Sequence, residues 1–426
     1  MLTRFDLRGS IDGLDALLAR DADADDTVAA DVRAIVADVR ARGDVALREL
    51  TERFDGATVD DLRVDSVAVR DALDAIPADV RDALEYAAGE IRAYHDAQIG
   101  PVVDLDRGGV RLRELVVAVD RAGCYVPGGR ASYPSTVLMT AIPARVADVG
   151  EIVLCTPPDA AGQVPVVTLA AAALAGVDEV YRVGGAHAIA AMAFGTEAIR
   201  AVDLVVGPGN AYVTAAKREV AGIVGVESLA GPSEIVVVAD DSAAADFVAI
   251  DLLAQAEHGP GGVAVLVTWS AALADAVGEA VAALAADAPR RSEIEATLGE
   301  SGRVVLVDGP DDALRVVNAI APEHVELMTT DPEALLVGIR NAGAVFCGAW
   351  APAAIGDYVA GVNHVLPTAR TARFASALRV DDFCKHIHVV TVEEDALRRV
   401  GPYVRTLAAV EGLDEHGRSI ALRVDT

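Results

Sequence analysis

Four of the chain's eight histidines stand beside other polar residues able to bind a metal or move protons. His258 ends a helix-like run, with Gln255 three residues before it and so on the same helical face. His324 directly follows Glu323, His364 comes shortly after Asp357, and His416 follows Glu411. An imidazole titrates at about 6.5, so it can accept and return a proton near neutral pH. Imidazole with carboxylate also suits zinc, which takes about four N, O or S donors. No compact HExxH spacing gathers these residues. Spacing alone therefore leaves two readings open: one site assembled by the fold, or separate surface and core histidines. Neighbours on a regular element face apart, so joint action of Glu323 and His324 requires a loop.

Glycine marks a second kind of candidate site. Gly123–Gly129, Gly184-Gly185 and Gly207-Pro208-Gly209-Asn210 each follow a predicted strand or form a turn. Glycine lets backbone N–H groups approach a phosphate or ribose, and a following helix start favours anions. Each loop alone also reads as a tight turn; the three together favour a nucleotide-type ligand. The GxGxxG fingerprint is absent, so an ordinary dinucleotide loop is not indicated. Cys124, Cys155, Cys347 and Cys384 form no CxxC pair and read as reduced thiols, with Cys124 a small apolar filler.

Positioning these residues falls to a long alternation of elements. From Asp26 to about Ala97, apolar residues recur at helical spacing among charges. Short β-branched runs then alternate with Ala-rich stretches: strands at 151–156, 179–183, 203–206, 234–239 and 262–268, then 303–307, 325–328 and 344–347. The helices between them are predicted at 164–176, 186–194, 211–220, 243–255 and 271–286. Apolar strands separated by helices imply parallel sheets covered on both faces. The units are too many for one comfortable sheet, so the expected fold is α/β with two doubly wound, Rossmann-like sheets. The expected division is an arm at 1–25, a first α/β domain from 26–122 and 233–381, a second from 123–232, and a helical tail at 382–426. All three glycine-rich loops fall in the second.

Composition limits the partners. The 426 residues carry a net charge of −29, with no basic stripe, which argues against nucleic acid. Lys217 and Lys385 are the only lysines, and arginine supplies the remaining positive charge. Such a surface suits a very salty interior, where the Debye length falls to about 3 Å near 1 M salt; an ordinary acidic enzyme is the alternative. The N-terminus lacks a signal-like apolar stretch. The longest apolar run, 164–177, is shorter than the ~20 residues that span a bilayer. The expectation is a soluble cytoplasmic protein.

Several long strings then agree with one family at once. Gly231-Pro232-Ser233-Glu234, the run Asp251–Pro260, Ala321-Pro322-Glu323-His324, Gly356-Asp357-Tyr358, Asn363–Thr368 and Glu411-Gly412-Leu413 with His416 resemble the signature regions of histidinol dehydrogenases. The order and separations match from about residue 30 to the C-terminus. The resemblance implies an NAD-linked enzyme that oxidises L-histidinol twice, through the aldehyde to L-histidine, at the end of histidine biosynthesis. It implies one zinc ion per subunit, with Gln255, His258, Asp357 and His416 as ligands. Glu323 and His324 would be the catalytic pair. Substrate contacts would be Ser233, His324, Glu411 and the metal ligands, with His364 as a further polar contact. NAD would meet Tyr125, His187 and Asn210, on the side of 123–232. The family is a homodimer whose tail reaches the partner's site, so Glu411 and His416 would act in trans. One departure stands out: His187 replaces the family's glutamine and lacks an amide's paired donor and acceptor.

The chemistry so implied uses His324 as base in both oxidations and Glu323 to activate water on the aldehyde. Three other readings remain: a same-family dehydrogenase for another amino alcohol or diol, a zinc hydrolase, and a non-catalytic nucleotide-binding or structural oligomer.

Overall fold

The computed structural model describes residues 1–10, 13–14, 25–129, 131–229, 231–259 and 261–425. Much of the arm expected at 1–25, and Pro260, lie outside them. The chain opens with β1 (Thr3–Asp6) and later runs through helices Asp25–Arg42, Asp44–Asp55, Ser66–Ala75 and Ala78–Asp96. β2 (Asp104–Asp106) and β3 (Val110–Ala118) follow. Alternation begins with β4 (Arg121–Tyr125), β5 (Glu151–Thr156), β6 (Glu179–Arg182), β7 (Leu204–Val206) and β8 (Gly225–Val226). It continues with β9 (Glu234–Ala239), β10 (Val263–Thr268), β11 (Gly302–Leu306), β12 (His324–Met328) and β13 (Ala344–Cys347). The chain closes with β14 (Cys384–Val392) and helices Glu394–Glu411 and Asp414–Val424.

The expected pair of parallel sheets is present. One has the order β1-β11-β10-β9-β12-β13, the other β6-β5-β4-β7-β8. Apart from the edge strand β1, each order reverses direction once, between β9 and β12 in the first sheet and between β4 and β7 in the second. Strand residues alternate between two packed faces, as the period of two requires. In the first sheet Ile235 and Val237 join Leu252, Val277 and Leu298 on one side. Val236 and Val238 join Val316 and Val317 on the other. Burial on both faces is why these strands read as unbroken apolar runs.

The N-terminal helices correct the expected division. Val36 and Leu47, from the first two, share a cluster with Val153, Tyr181 and Ile189 on one face of the second sheet. Val69 and Ile91, from the next two, share the opposite face with Cys124, Leu154 and Leu138. These four helices therefore sandwich the second sheet, whereas the expectation grouped 26–122 with 233–381. An amphipathic helix advertises a buried stripe but not the partner that buries it. The first sheet instead gains β1 as an edge strand, paired parallel with β11.

The tail also differs from its expectation. It begins as a strand: all nine residues of β14 pair antiparallel with β3, and β2 adds a third strand. The β-branched run Val389-Val390-Thr391-Val392 is the local reason. Only afterwards does the tail become helical. Two helices, Glu394–Glu411 and Asp414–Val424, pack together, and Arg399 bonds the Gly108 carbonyl beside the ribbon at 2.5 Å.

The sandwich yields a stability prediction. Leu47 is fully buried between its helix and the second sheet. Leu47→Ala should lower the unfolding free energy by about 2–5 kcal/mol, measured by guanidinium denaturation. A change under about 1 kcal/mol would mean that the helix does not depend on this packing.

Candidate active site

Doubly wound sheets usually take ligands beyond the carboxyl ends of their strands. In the first sheet the candidate residues lie at the opposite end. Ser233 is half-buried just before β9, Glu323 is buried in the bend before β12, and His324 is the first residue of β12. β9 and β12 are parallel neighbours, with His324 paired to Ile235. The Glu234 N–H donates to Glu323 Oε2 at 2.9 Å. The Glu234 carbonyl lies 3.1 Å from His324 Nδ1. One residue's two backbone groups thus hold both side chains. His324 Nδ1 is 3.5 Å from Glu323 Oε2, so the bend brings adjacent residues to one side.

This arrangement assigns the imidazole tautomer. A carbonyl only accepts, so Nδ1 carries the hydrogen and Nε2 the lone pair. Nε2 is 3.8 Å from Asp357 Oδ1. Burial pushes the Glu323 carboxyl above its ordinary range, opposed by His324 and the Glu234 N–H and reinforced by Glu234 and Asp357.

Of the candidate ligands Asp357 lies beside this pair, while Gln255 and His258 come from the end of the helix that precedes β10. Gln255 lies in the last turn of helix Ala245–Ala256, with its side chain buried and its Nε2 without a hydrogen-bond partner. His258 follows the helix and is exposed; its Nδ1 is 3.2 Å from the Gln255 carbonyl, which leaves Nε2 available. Asp357 is half-buried in helix Ala353–Tyr358. His364 bridges two units: Nδ1 is 3.0 Å from the Asp357 carbonyl and Nε2 3.2 Å from Thr136 Oγ1. Burial holds His364 below its ordinary pKa, Asp357 opposes this, and His324 and His258 add to it. Thr136 begins the helix after β4, so this contact joins the carboxyl end of the second sheet to the amino end of the first. Among the described residues, no three His, Cys, Asp or Glu side chains form a metal-holding group within this chain. Glu411 and His416 are exposed on the C-terminal helices, and among the described residues no hydrogen bond or ion pair joins their side chains to the cluster.

The second sheet places the glycine-rich loops at the carboxyl ends of its strands, around the β4/β7 reversal. Tyr125 closes β4, and its buried hydroxyl accepts from the Gly185 N–H at 3.0 Å. That burial pushes the phenol above its ordinary pKa. Asn210 is exposed at the start of helix Ala211–Val220, where its side chain accepts from the N–H groups of Tyr212 and Val213 at 3.0 and 3.2 Å. His187 is buried: Nε2 lies 3.3 Å from Thr51 Oγ1 and Nδ1 has no hydrogen-bond partner.

Sequence reading passed over Glu326 and Asp251. Glu326 is buried two residues beyond His324 and accepts the Ala353 N–H at 2.7 Å, at the start of the helix that carries Asp357. Burial raises its pKa, and the neighbouring Asp251 carboxyl raises it further. The available signal was a carboxylate inside an apolar strand, which requires a partner. Thr136 carried no signal at all.

Two doubly wound sheets, with a buried Glu–His pair at the amino ends of one and glycine-rich loops at the carboxyl ends of the other, define an α/β protein. A sequence model of the histidinol dehydrogenase family matches residues 18–424. The histidinol dehydrogenase of Rhizobium meliloti is 49% identical over 414 residues, covering 96% of this chain and 95% of that protein. That of Bradyrhizobium diazoefficiens is 50% identical over 414 residues, covering 96% of each. The crystal structure of histidinol dehydrogenase from Elizabethkingia anophelis superposes with a TM-score of 0.95 at 33% identity, covering 100% of this chain and 98% of the other. The chain belongs to the histidinol dehydrogenase family.

His187 makes a pH prediction. Burial lowers its pKa from 6.5 to about 3. Between those values the unfolded chain binds a proton that the folded chain refuses, so stability falls as pH drops through this window. The His187→Gln variant lacks that loss. Wild type should lose stability faster than the variant by about 1.4 kcal/mol per pH unit between pH 6 and 4. Parallel stability curves in urea titrations would contradict the buried neutral imidazole.

Proposed function

We propose that this protein is a histidinol dehydrogenase: it oxidises L-histidinol through the aldehyde to L-histidine, the last step of histidine biosynthesis, using NAD and one zinc ion per subunit. The observation that carries the reading is the Glu323–His324 pair hung from the Glu234 backbone, in a chain belonging to this family.

The residues present suit zinc. Gln255 offers a buried amide, and turning it over puts its carbonyl oxygen, the atom able to ligate, in the place of the unpartnered nitrogen. His258 keeps Nε2 free because the Gln255 carbonyl takes Nδ1, the usual arrangement behind a ligating imidazole. Asp357 offers a carboxylate. The set would be Gln255, His258 and Asp357, completed by His416 of a second copy. When bound, zinc would anchor the substrate's amino and imidazole nitrogens as a Lewis acid, and NAD would accept hydride.

His324 then does the proton work. Its Nε2, 3.8 Å from the Asp357 carboxylate, takes the alcohol proton. Glu323, whose pKa burial raises toward the useful range, accepts a proton from the water that adds to the aldehyde. As the hydrate forms, His324 returns its first proton to the former aldehyde oxygen, and it is then free to take the hydrate's hydroxyl proton in the second oxidation, when NAD would again accept hydride. Holding the aldehyde at a closed site would protect it from side reactions. Ser233 and His364 border this space as polar contacts. Tyr125, His187 and Asn210 would form the NAD side.

A homodimer with shared sites suits the exposed tail. Tyr403, Leu407, Val410 and Leu422 on the two last helices are exposed, and β3 and β14 expose Val116, Val117 and Val390. Apolar surface on this scale calls for cover. A second copy lying there would bring Glu411 toward a substrate cation and His416 toward the metal. No helix among the described residues is long and apolar enough to cross a membrane. All four cysteines are free, which suits the reducing cytoplasm where we place the protein. The net charge of −29 suits a salty one.

The deciding experiment follows NADH formation with L-histidinol, with and without a chelator, at low and high salt. Histidinol-dependent NADH that a chelator abolishes and zinc restores is the expected result; none under any condition removes the proposal. Activity on another amino alcohol alone would reassign the substrate. His324→Asn should lower both oxidations by about 10²–10⁴-fold, and Glu323→Gln mainly the aldehyde step. An unchanged aldehyde step in Glu323→Gln would remove its water-activating role.

Shared sites make a separate prediction. His416→Asn and Asp357→Asn homodimers should each lack zinc and activity. Mixed dimers should regain one complete site and so about a quarter to a half of wild-type activity per dimer. Proven heterodimers without recovery would place His416 in its own chain's site or outside any site.

A further inference from the structure

Lysine is nearly absent from this chain, yet one of its two lysines is fully enclosed. Among the described residues Lys217 and Glu227 form an ion pair with side chains only 2% and 1% exposed. Lys217 Nζ donates to Glu227 Oε1 at 2.7 Å and to the Gly207 carbonyl at 2.5 Å. The Gly207 N–H donates to the same Glu227 oxygen at 2.7 Å. Both backbone groups of Gly207 are thus held by a pair of opposite charges.

Gly207 stands where the second sheet reverses direction. It follows β7, and its φ of 115° is disfavoured for any L side chain. A Cβ there would collide with the Tyr125 carbonyl. Lys217 lies two turns along helix Ala211–Val220 and reaches back to the loop that precedes that helix. Glu227 follows β8 on the neighbouring edge. The pair therefore joins the end of β7, the loop Gly207–Asn210 and the helix start that Asn210 caps.

Stability alone is a poor reason for such a pair. Desolvating two charges is costly, and well-packed apolar residues in their place are often neutral or better for folding. The residue type is also specific. A compact ammonium with rotatable donors can serve a carbonyl and a carboxylate in a closed space, where a planar guanidinium needs more room. Arginine otherwise supplies nearly all the positive charge of this chain, so a lysine here is distinctive.

We infer that Lys217 and Glu227 are positioning residues for the NAD loop, holding the Gly207 peptide groups so that Asn210 and Tyr125 keep one geometry across the β4/β7 reversal. The inference rests on the NAD reading of this loop. Neither residue need touch the cofactor.

The test compares full-length wild type, K217M/E227L, E227D and E227Q, loaded with zinc. NAD affinity is measured by titration, alongside zinc content, unfolding midpoint, and kcat and KM for both substrates. K217M/E227L should fold with a midpoint near wild type and keep its zinc and its KM for histidinol. Its Kd and KM for NAD should rise about tenfold or more, the order of loss when a supporting shell is loosened, while kcat at saturating NAD stays within a few-fold. E227Q keeps an acceptor for Gly207 and Lys217 and should remain within about threefold of wild type in NAD affinity. Should the double variant not fold, E227D carries the same comparison, because it preserves the charge but withdraws the carboxylate from Gly207. Folded K217M/E227L or E227D with wild-type NAD affinity overturns the inference. Equal losses toward zinc, histidinol and NAD also overturn it, since they mark a general role in the fold. A wild-type protein that binds no NAD overturns the cofactor reading itself, and this is seen before any variant is compared.

Discussion

A backbone amide buried away from water must find a partner, and at the ends of parallel strands the neighbouring strand cannot always supply one. Glu234 opens β9 in such a place. Its N–H is taken by the Glu323 carboxylate and its carbonyl by the His324 imidazole. The same two bonds that satisfy the strand orient the base pair, choose the histidine tautomer and turn Nε2 toward Asp357. Structure and chemistry therefore share one set of hydrogen bonds. Removing the Glu323 side chain leaves the buried Glu234 N–H without this acceptor, which links the site to local stability.

The pattern recurs at other strand ends. The Tyr125 hydroxyl takes the Gly185 N–H, Thr368 Oγ1 takes the Gly231 N–H, and Lys217 with Glu227 takes both groups of Gly207. Each partner comes from a distant part of the chain or another element. These backbone polar groups are thus already committed within the protein. Such pre-organisation limits the rearrangement needed when charge moves in a reaction.

Burial then sets the protonation states. The same enclosure raises the pKa of Glu323 and lowers that of His187 to about 3. It also accounts for the contrast with the tail, where Glu411 and His416 are exposed on helices that pack mainly on each other and the ribbon. One chain by itself brings Glu323, His324 and Asp357 together, but not the two C-terminal residues.

Much of this was legible in the residues. Local sterics and hydrogen bonding set the periods of helices and strands, so the strand at 234–239 and the helix at 211–220 were read to the residue. The glycine-rich turns and polar strings were visible for the same reason, and the strings carried a family resemblance as well. The tertiary structure alone decided which sheet the N-terminal helices cover, that β14 pairs with β3, and that the acid–base pair sits at the amino end of its sheet. Those outcomes depend on contacts between distant residues: Glu234 meets Glu323 and His324 across 89 and 90 positions of chain. No local period encodes which buried backbone group will lack a strand partner. That follows only once the strands are paired.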